Sequence, residues 1–426
     1  MSESPNQPTT KITGDPSGEQ PGEISNRSNN NNNHPQLKCG LKNSGNDCFI
    51  NATLQCLSVS PFILDYITYY TDDDYKLINC MNRYDLCKYK ASELDDKCRT
   101  IIEDDELQST EDLKYLKQII KQSANIFMYI SFKELIKNLY LRRNKIIDPN
   151  TFIIVSRELS QSTGFGHLFS GEQNDPHEFL AYILDVVHNA KSSEVSINIS
   201  ANINEYSEVN QLYFKHFKSR YAKDHSLFVR NFYYYIVNCV LCANCGHKSN
   251  EVSPNDMICL PLPPNIKKED SLSILDCFDQ LFSVEPLEYK CEKCNNTANN
   301  QIEKKILTKP KTLIIKIKRY TNVGTNGNIL MKVNKFIAYP DVFNISKYCC
   351  VENPNDYELY AVINHVGFLN GGHYYAYVRE RIPTEDNKGV FTDNWFLCND
   401  TRVNLMKFED VLTSSNAYIL FYHIKQ

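Results

Sequence analysis

The amino-acid sequence predicts an α+β protein in which a helix-rich part precedes a strand-rich part. Apolar residues recur at helical spacing over 179–187, just after Asp175 and Pro176, which suit a helix cap and the first helical position. Later segments are rich in β-branched and aromatic residues, which favour strands. These predicted strands are 313–318, 357–365, 373–379, 395–398 and 418–423.

The remaining elements follow from composition along the chain. Residues 1–36 are rich in Ser, Asn, Pro, Gly and Glu and lack aromatic residues, which predicts a disordered tail with order beginning near Leu37. The apolar spacing of Leu113, Leu116 and Ile119 predicts a second helix. The acidic stretch 72–112 has a weaker pattern and is predicted to form a loop or short surface helices.

The bulk composition argues against several classes of protein. A formal net charge of -5 argues against a nucleic-acid binder, because such proteins usually carry a basic face. The first residues have neither the basic nor the apolar region of a signal peptide, and no apolar run is long enough for a membrane helix. We expect an intracellular protein of the cytoplasm, the nucleus or both, in which the 16 cysteines serve as thiols, metal ligands or nucleophiles rather than disulfides.

Cys48 is a candidate nucleophile. It follows a loop rich in Gly, Asn and Ser and opens the apolar segment 49–57, which is predicted to be a helix with Asn46 as its N-cap. A thiol in the first turn of a helix lies near the positive end of the helix dipole and near free backbone N–H groups. Both favour the thiolate that a nucleophile needs. A buried structural cysteine is the alternative for Cys48 considered alone.

His373 and the pair Asn399-Asp400 are candidates for the other members of such a site. His373 opens a predicted strand after Gly371 and Gly372, which permit close approach of a ligand or a second strand. Asn399 and Asp400 end an aromatic strand, and one of these side chains could accept the Nδ1 hydrogen of a histidine and fix its tautomer. Considered singly, a satisfied histidine and an ordinary Asn-Asp turn remain the alternatives.

Two Cys-x-x-Cys pairs indicate a structural zinc site. Each pair fits half of a tetrahedral thiolate site, with unrelated thiols as the alternative. The long sequence between the pairs requires two β-hairpin tips brought together by an extended region. Gly246 permits the tight turn after the first pair, and Cys239 is a candidate substitute ligand with a poorer spacing. The predicted ligands are Cys242, Cys245, Cys291 and Cys294.

The order of these motifs along the chain resembles that of the ubiquitin-specific proteases. The resemblance extends over roughly residues 38–424, nearly all of the part predicted to be ordered. Besides the two Cys-x-x-Cys pairs, the matching segments are 40–57, 173–180, 309–320, 357–365, 371–374, 395–400 and 417–422.

The resemblance implies a papain-like cysteine protease fold shaped like a hand, over residues 37–426. A helical thumb would span about 38–190, β fingers with a zinc knuckle about 228–305, and a β-rich palm the remainder. It also implies structural zinc as the cofactor. The implied partners are ubiquitin, ubiquitinated proteins and regulatory proteins, with neither nucleic acid nor membrane among them.

The same resemblance implies roles for individual residues. Cys48 would attack the carbonyl of ubiquitin's last glycine, His373 would act as base and then as acid, and Asn399 would orient His373. Asn43 would donate a hydrogen bond to the oxyanion. Asp400 would assist both the orientation of His373 and the stabilisation of the oxyanion. The resemblance also implies three substrate-binding residues, Asp175, His365 and Gly372.

One departure from the family pattern, at Asp47, keeps other functions open. Asp47 stands where the family usually has threonine, and its carboxylate beside Cys48 would disfavour the thiolate, while Tyr320 replaces the more usual phenylalanine. A gated or catalytically weak ubiquitin-binding scaffold is one alternative, and Asp47 is its best support. A papain-like endopeptidase is disfavoured by the paired cysteines. A protease for a ubiquitin-like modifier is a closer alternative, and the sequence does not distinguish it well from a ubiquitin protease.

Overall fold

The computed structural model describes most of the chain after residue 37. The described ranges are 38–67, 72–86, 89, 93–103, 109–122, 125–161, 163–197, 207–264, 266–267, 270–323, 329–351, 355–368, 371–382 and 389–425. The predicted disordered tail, 1–36, lies outside the described residues.

The described residues form twelve α-helices, most of them in the first half of the chain. They are α1 (Cys48–Leu57), α2 (Pro61–Ile67), α3 (Asp72–Arg83), α4 (Leu94–Glu103), α5 (Thr110–Gln122), α6 (Asn125–Leu141), α7 (Asn150–Ser160), α8 (Pro176–Lys191), α9 (Glu208–Tyr221), α10 (Leu227–Phe232), α11 (Ile274–Leu281) and α12 (Phe408–Leu412). The predicted start of α8 is confirmed, because Asp175 accepts a hydrogen bond from the His177 backbone and Pro176 is the first helical residue.

The described residues of the acidic stretch 72–112 lie mostly in helices. The stretch contains α3, α4 and the start of α5, and these helices enclose an apolar cluster of their own that includes Leu77, Leu94 and Leu116. The short-helix alternative for this stretch is therefore confirmed. The many charged residues of this stretch make its apolar stripe difficult to recognise until the helix bounds are known.

The described residues form 16 strands, most of them in the second half of the chain. They are β1 (Gly40–Leu41), β2 (Ile146–Ile147), β3 (Tyr234–Leu241), β4 (Lys248–Asn255), β5 (Ile258–Leu260), β6 (Glu285–Leu287), β7 (Asn300–Ile306), β8 (Thr312–Ile317), β9 (Tyr320–Val323), β10 (Ile329–Lys332), β11 (Val342–Asn344), β12 (Asp356–Phe368), β13 (Gly371–Ile382), β14 (Val390–Asn399), β15 (Arg402–Met406) and β16 (Ala417–Ile424). All five predicted strands are confirmed, several with longer bounds.

The strands form two principal sheets. The larger, which we call the palm sheet, has the order β15-β14-β13-β12-β16-β8-β5, with β11 paired to β12. Its pairs are antiparallel except for β5 with β8. The smaller, which we call the finger sheet, has the antiparallel order β4-β3-β7-β6. The predicted α+β fold class is confirmed.

Helix α1 lies between the other helices and the palm sheet. All ten of its residues are buried, because it contacts α6 and α8 on one side and β12, β13 and β14 on the other. Phe49 of α1 meets Phe179 of α8 edge to face, with ring centroids 5.9 Å apart. Burial of such a side chain stabilises the fold by about 1.5–3 kcal/mol. This packing fixes Cys48, the first residue of α1, against one end of the palm sheet.

Among the described residues, no helix combines the length and the apolar character that a bilayer-spanning segment requires.

Candidate active site

Cys48 occupies the first position of α1, as the sequence predicts, and its residue is 3% exposed. The predicted cap was wrong, because Asp47 rather than Asn46 holds the N-cap position. The Asn46 amide instead donates to the carbonyl oxygen of Gly171 at 2.8 Å and ties the loop to the segment before α8. Asp47 makes no side-chain cap hydrogen bond, so it leaves the first-turn N–H groups of α1 uncapped at the positive end of the helix dipole.

His373 and Asn399 face each other across neighbouring strands. His373 lies near the start of β13, and its Nε2 is 2.7 Å from Oδ1 of Asn399 at the end of β14. The sequence-based expectation of an Nδ1 contact was wrong, because Nε2 is the ring nitrogen that meets Asn399. Since an amide oxygen only accepts, Nε2 carries a hydrogen in this arrangement, and Nδ1 is left for Cys48.

The contacts of His373 stabilise its charged form. The hydrogen-bonding contact with Cys48 makes the largest contribution and raises the pKa of His373, partial burial opposes this, and the Asn399 contact and the charge of Asp400 add to it. The resulting pKa of His373 is about 9. At neutral pH the ring is therefore an imidazolium beside the Cys48 sulfur, an arrangement that favours a thiolate–imidazolium pair.

Asn43 and Asp400 are joined by a hydrogen bond across the cleft. Asn43 Nδ2 donates to Asp400 Oδ2 at 3.0 Å, while its Oδ1 accepts from the backbone N–H groups of Gly45 and Asp47 at 3.0 and 3.2 Å. The Asn43 amide is thereby held in one orientation at the edge of the cleft that contains Cys48. One Nδ2 hydrogen of Asn43 has no acceptor within the described part of the chain.

Asn51 belongs to the same cluster, and the sequence reasoning did not single it out. Its Nδ2 donates to Asp400 Oδ1 at 2.8 Å and to the Lys42 carbonyl at 3.3 Å. The only available signal was its spacing of three residues from Cys48, which places both on one face of α1. The partner Asp400 is 349 positions away in sequence, so the contact itself was not predictable from spacing.

Asp175 caps α8 and is also held by two side chains of the palm sheet. Its Oδ2 accepts from Lys316 Nζ at 2.7 Å and from the Tyr418 hydroxyl at 2.6 Å. Burial by itself would raise the pKa of Asp175, but the Lys316 charge and the hydrogen bonds from Lys316, Tyr418 and His177 lower it overall. The side chain is 28% exposed, so a charged carboxylate remains accessible at this edge.

His365 lies behind Gly372 rather than in the open cleft. It is 3% exposed and stacks on Tyr374 with centroids 4.5 Å apart, and the Tyr320 hydroxyl is 3.2 Å from its Nδ1. Burial, with the nearby Lys332 charge, lowers the pKa of His365 to about 4, so the ring is neutral. A Cβ on Gly372 would lie 2.2 Å from His365 Nε2, so only glycine fits there. The Tyr320 hydroxyl makes a contact that phenylalanine could not.

Gln173 links the segment before α8 to the strand that carries His373. Its side-chain amide donates to the Gly372 carbonyl and accepts from the Gly372 N–H, both at 2.9 Å. These two hydrogen bonds resemble the pair that joins two residues of neighbouring antiparallel strands. They fix the residue next to His373 against the helical part of the site, and no role was predicted for Gln173 beyond its place in a matching segment.

The four predicted metal ligands meet at the tip of the finger sheet. The sulfur atoms of Cys242, Cys245, Cys291 and Cys294 all lie within 4.8 Å of one another. The Cys242–Cys294 and Cys245–Cys291 sulfur separations are 3.5 and 3.7 Å. Tetrahedral zinc with Zn–S bonds of about 2.3 Å places its sulfurs at about 3.8 Å, so the residues fit this metal.

The two halves of this cluster have the same backbone form. In each, the first cysteine's carbonyl accepts from the residue four positions later, Gly246 or Asn295, which has a φ of 68° or 59°. Asn300 joins the halves, accepting from the Ala243 N–H at 3.1 Å. The suggestion of Cys239 as a substitute ligand was wrong, because it lies within β3 and outside the cluster.

The comparisons with known proteins agree with this geometry. A family model described as ubiquitin carboxyl-terminal hydrolase matches residues 39–422. Ubiquitin carboxyl-terminal hydrolase 25 of Arabidopsis thaliana is 24% identical over 393 residues, which cover 90% of this chain and 47% of that protein. Ubiquitin carboxyl-terminal hydrolase 2 of Bos taurus is 26% identical over 399 residues, covering 90% and 55%. A probable ubiquitin carboxyl-terminal hydrolase of Acanthamoeba polyphaga mimivirus is 24% identical, covering 90% and 89%.

The fold is also that of solved structures. A SAGA DUB module of Ubp8, Sgf11, Sus1 and Sgf73 bound to monoubiquitin contains a chain that matches with a TM-score of 0.56 and 21% identity, over 91% of this chain and 69% of that chain. The chain spans about half the length of the Arabidopsis and bovine relatives. Because the family model extends over nearly all of the described residues, the chain belongs to the ubiquitin carboxyl-terminal hydrolase family.

Proposed function

We propose that this chain is a thiol-dependent deubiquitinase that hydrolyses the peptide or isopeptide bond after the C-terminal glycine of ubiquitin. The observation that carries the proposal is His373, whose Nε2 lies 2.7 Å from Asn399 Oδ1 and whose pKa is raised to about 9, mainly by Cys48. This is the chemistry of a cysteine nucleophile paired with an acid–base histidine. Family membership supplies the class of substrate.

In the first half of the reaction, the Cys48 thiolate attacks the carbonyl carbon of ubiquitin's last glycine. A C–S bond forms and the carbonyl oxygen takes the negative charge. The His373 imidazolium then gives its proton to the leaving lysine amine, and the C–N bond breaks. Asn399 accepts a hydrogen bond from Nε2, which keeps Nδ1 directed at the reacting atoms.

The negative charge on the carbonyl oxygen needs a donor that is already in place. We assign this role to Asn43 Nδ2, because its Oδ1 is fixed by two backbone N–H groups and one Nδ2 hydrogen is held by Asp400. The remaining hydrogen is available to the oxyanion. Removal of one such donor typically costs a factor of about 100–1000 in kcat.

In the second half, water hydrolyses the thioester. Neutral His373 takes a proton from the water as its oxygen attacks the carbonyl carbon. The C–S bond then breaks, which regenerates the Cys48 thiolate and frees ubiquitin's carboxylic acid, whose proton passes to solvent. The same pair of residues thus serves both halves, and the imidazolium is restored for the next cycle.

The approach for the tail of ubiquitin is lined by glycine and one carboxylate. A side chain at position 372 would collide with His365, which lies directly behind Gly372. We propose that His365 supports this side of the approach. Asp175 is the accessible carboxylate for a basic residue of the tail, which would compete with Lys316 for Oδ2.

We propose zinc as the structural metal of the four-cysteine cluster. Cys242, Cys245, Cys291 and Cys294 would hold it, and its chemistry would be to join the β3–β4 turn to the segment between β6 and β7. Zinc bound only by four thiolates has no open position, so we propose a role in stability alone.

Partners and location complete the proposal. Solved relatives of the fold include Ubp8 assembled with Sgf11, Sus1 and Sgf73 on monoubiquitin, and we propose that this chain also binds ubiquitin, ubiquitinated proteins and regulatory protein partners. No cysteine among the described residues forms a disulfide, which supports a reducing, intracellular location.

The decisive experiment is labelling with ubiquitin that carries a thiol-reactive group at its C-terminus. The wild-type chain should form a covalent adduct, the Cys48→Ala variant should form none, and Cys350→Ala, which removes an exposed thiol elsewhere, should behave as wild type. Tight binding of ubiquitin without any adduct would favour the scaffold, and an adduct with a ubiquitin-like modifier alone would change the substrate class. An adduct in Cys48→Ala would falsify the assignment of the nucleophile.

A further inference from the structure

We propose that Asn51 is a positioning residue for the oxyanion donor Asn43, acting through the carboxylate of Asp400. The inference rests on the proposed deubiquitinase function and adds a residue to its machinery. Asn51 is 2% exposed, so it acts without touching the substrate. It lies on α1 three residues after Cys48, on the face that meets the turn after β14.

The orientation of the Asn51 amide is fixed by two acceptors. Both of its Nδ2 hydrogens are used, one on Asp400 Oδ1 at 2.8 Å and one on the Lys42 carbonyl at 3.3 Å. Rotation of the amide by 180° would place an oxygen against two other oxygens. The nitrogen therefore points at Asp400, and the side chain has one stable orientation.

Asp400 is held at both carboxylate oxygens and at its backbone. Oδ1 accepts from Asn51 and Oδ2 accepts from Asn43 at 3.0 Å, while its backbone carbonyl accepts from the Leu41 N–H at 2.8 Å. Its φ of 48° is a left-handed conformation that costs energy for a residue other than glycine. Such a turn persists only where its surroundings over-determine it, and Asn51 is one of these surroundings.

The arrangement matters because an oxyanion donor must be in place before charge develops. Without Asn51, Asp400 Oδ1 would lose its donor and the carboxylate could rotate about its side-chain bonds. Asn43 Nδ2 would then follow Asp400 or lose its acceptor. The charge of Asp400 also favours the imidazolium of His373, and this charge remains when Asn51 is removed.

Fold stability alone is a poor explanation for Asn51. Its Oδ1 is buried and has no partner among the residues that the structure describes. An unsatisfied buried acceptor costs about 1–3 kcal/mol, which offsets the gain from the donated hydrogen bonds. An apolar residue of similar size would avoid this cost, so the amide is explained better by what it holds.

The test is a double-mutant cycle read on hydrolysis of ubiquitin with a fluorogenic C-terminal amide. Asn51→Ala should lower kcat about tenfold with little change in KM, because the donor is disordered rather than removed. In an Asn43→Ala background the same change should cost less than about twofold, because the donor that it positions is gone. Asn51→Leu, which preserves the volume, should repeat this pattern if the alanine variant folds poorly.

Gln55→Ala is the matched control. Gln55 is also a buried amide of α1, with one donated hydrogen bond, to the Cys39 carbonyl at 2.8 Å, and an unsatisfied oxygen, but it has no contact with Asp400. Its loss should lower Tm and leave kcat within about twofold. Equal kcat losses for Asn51→Ala with and without Asn43, or a loss matched by Gln55→Ala, would overturn the inference. Wild-type protein with no hydrolysis and no ubiquitin adduct would instead overturn the proposed function.

Discussion

The raised pKa of His373 predicts a specific response to loss of Asn399. The Asn399→Ala variant removes the oxygen that accepts from Nε2 at 2.7 Å, one of the contacts that hold the pKa of His373 at about 9. The imidazolium is needed as the acid for the leaving amine. Activity should therefore fall as pH rises through the pKa of His373, and in the variant this fall should begin at lower pH.

The size of this shift follows from the hydrogen bond. A hydrogen bond to a charged group contributes about 1.5–3 kcal/mol, and partial solvent exposure of His373 places this one at the lower end. About 1.4 kcal/mol corresponds to one pH unit, so the alkaline limb should move from about 9 to about one unit lower. The contacts with Cys48 and the charge of Asp400 remain, so the pKa should stay above that of a free histidine.

The assay is kcat/KM on ubiquitin with a fluorogenic C-terminal amide, from about pH 6 to about pH 10. Asn394→Ala is the control, because that asparagine lies on the same strand and donates to Glu380 at 2.8 Å, away from His373. An alkaline limb that stays in place in Asn399→Ala would refute the argument. So would a wild-type limb near the usual histidine value of about 6.5.

The same shift has a consequence for stability. The folded pKa of His373 is raised above its unfolded value, so this residue stabilises the fold fully below about pH 6.5. That contribution is lost as pH rises through about 9. The contribution should be smaller in Asn399→Ala, and Tm measured at both ends of this range provides an independent check.

Two further variants test the cluster of cysteines and the loop before α1. Cys291→Ser should lower Tm and abolish the response of Tm to a chelator, since structural zinc contributes folding free energy, whereas Cys239→Ser should retain that response; identical behaviour would remove Cys291 from the site. Asp47→Thr should raise the rate of Cys48 alkylation about threefold, measured on the peptide by mass spectrometry, because a negative charge beside the thiolate is removed. An unchanged rate would mean that the Asp47 carboxylate, which accepts from the Ser44 N–H at 3.3 Å, is too well screened to affect the thiolate.

The sequence was most informative where local rules decide the structure. The start of α8 follows from a capping aspartate and a proline, and the palm strands follow from their β-branched and aromatic residues. The pairing of two distant Cys-x-x-Cys turns was also predictable, because each pair supplies half of the four thiolates that a structural zinc site needs. In each case the residues that decide the outcome are neighbours in sequence or share a single chemistry.

The sequence was least informative where two elements must meet. Whether Asn46 or Asp47 caps α1 depends on Gly171, which takes the Asn46 amide. Which ring nitrogen of His373 meets Asn399 depends on how two side chains from different strands are placed in the fold. Gln173 and Asn51 make their contacts with residues 199 and 349 positions away. None of these contacts has a signature in spacing or composition.

The long-range contacts explain how the site depends on both layers of the fold. The helical layer contributes Cys48, Asn43 and Asn51, while the palm sheet contributes His373 and Asn399. Asp400, in the turn after β14, bonds to Asn43 and Asn51 of the first layer and lies beside His373 of the second. A change that separates the layers would therefore disturb the oxyanion donor and the imidazolium together.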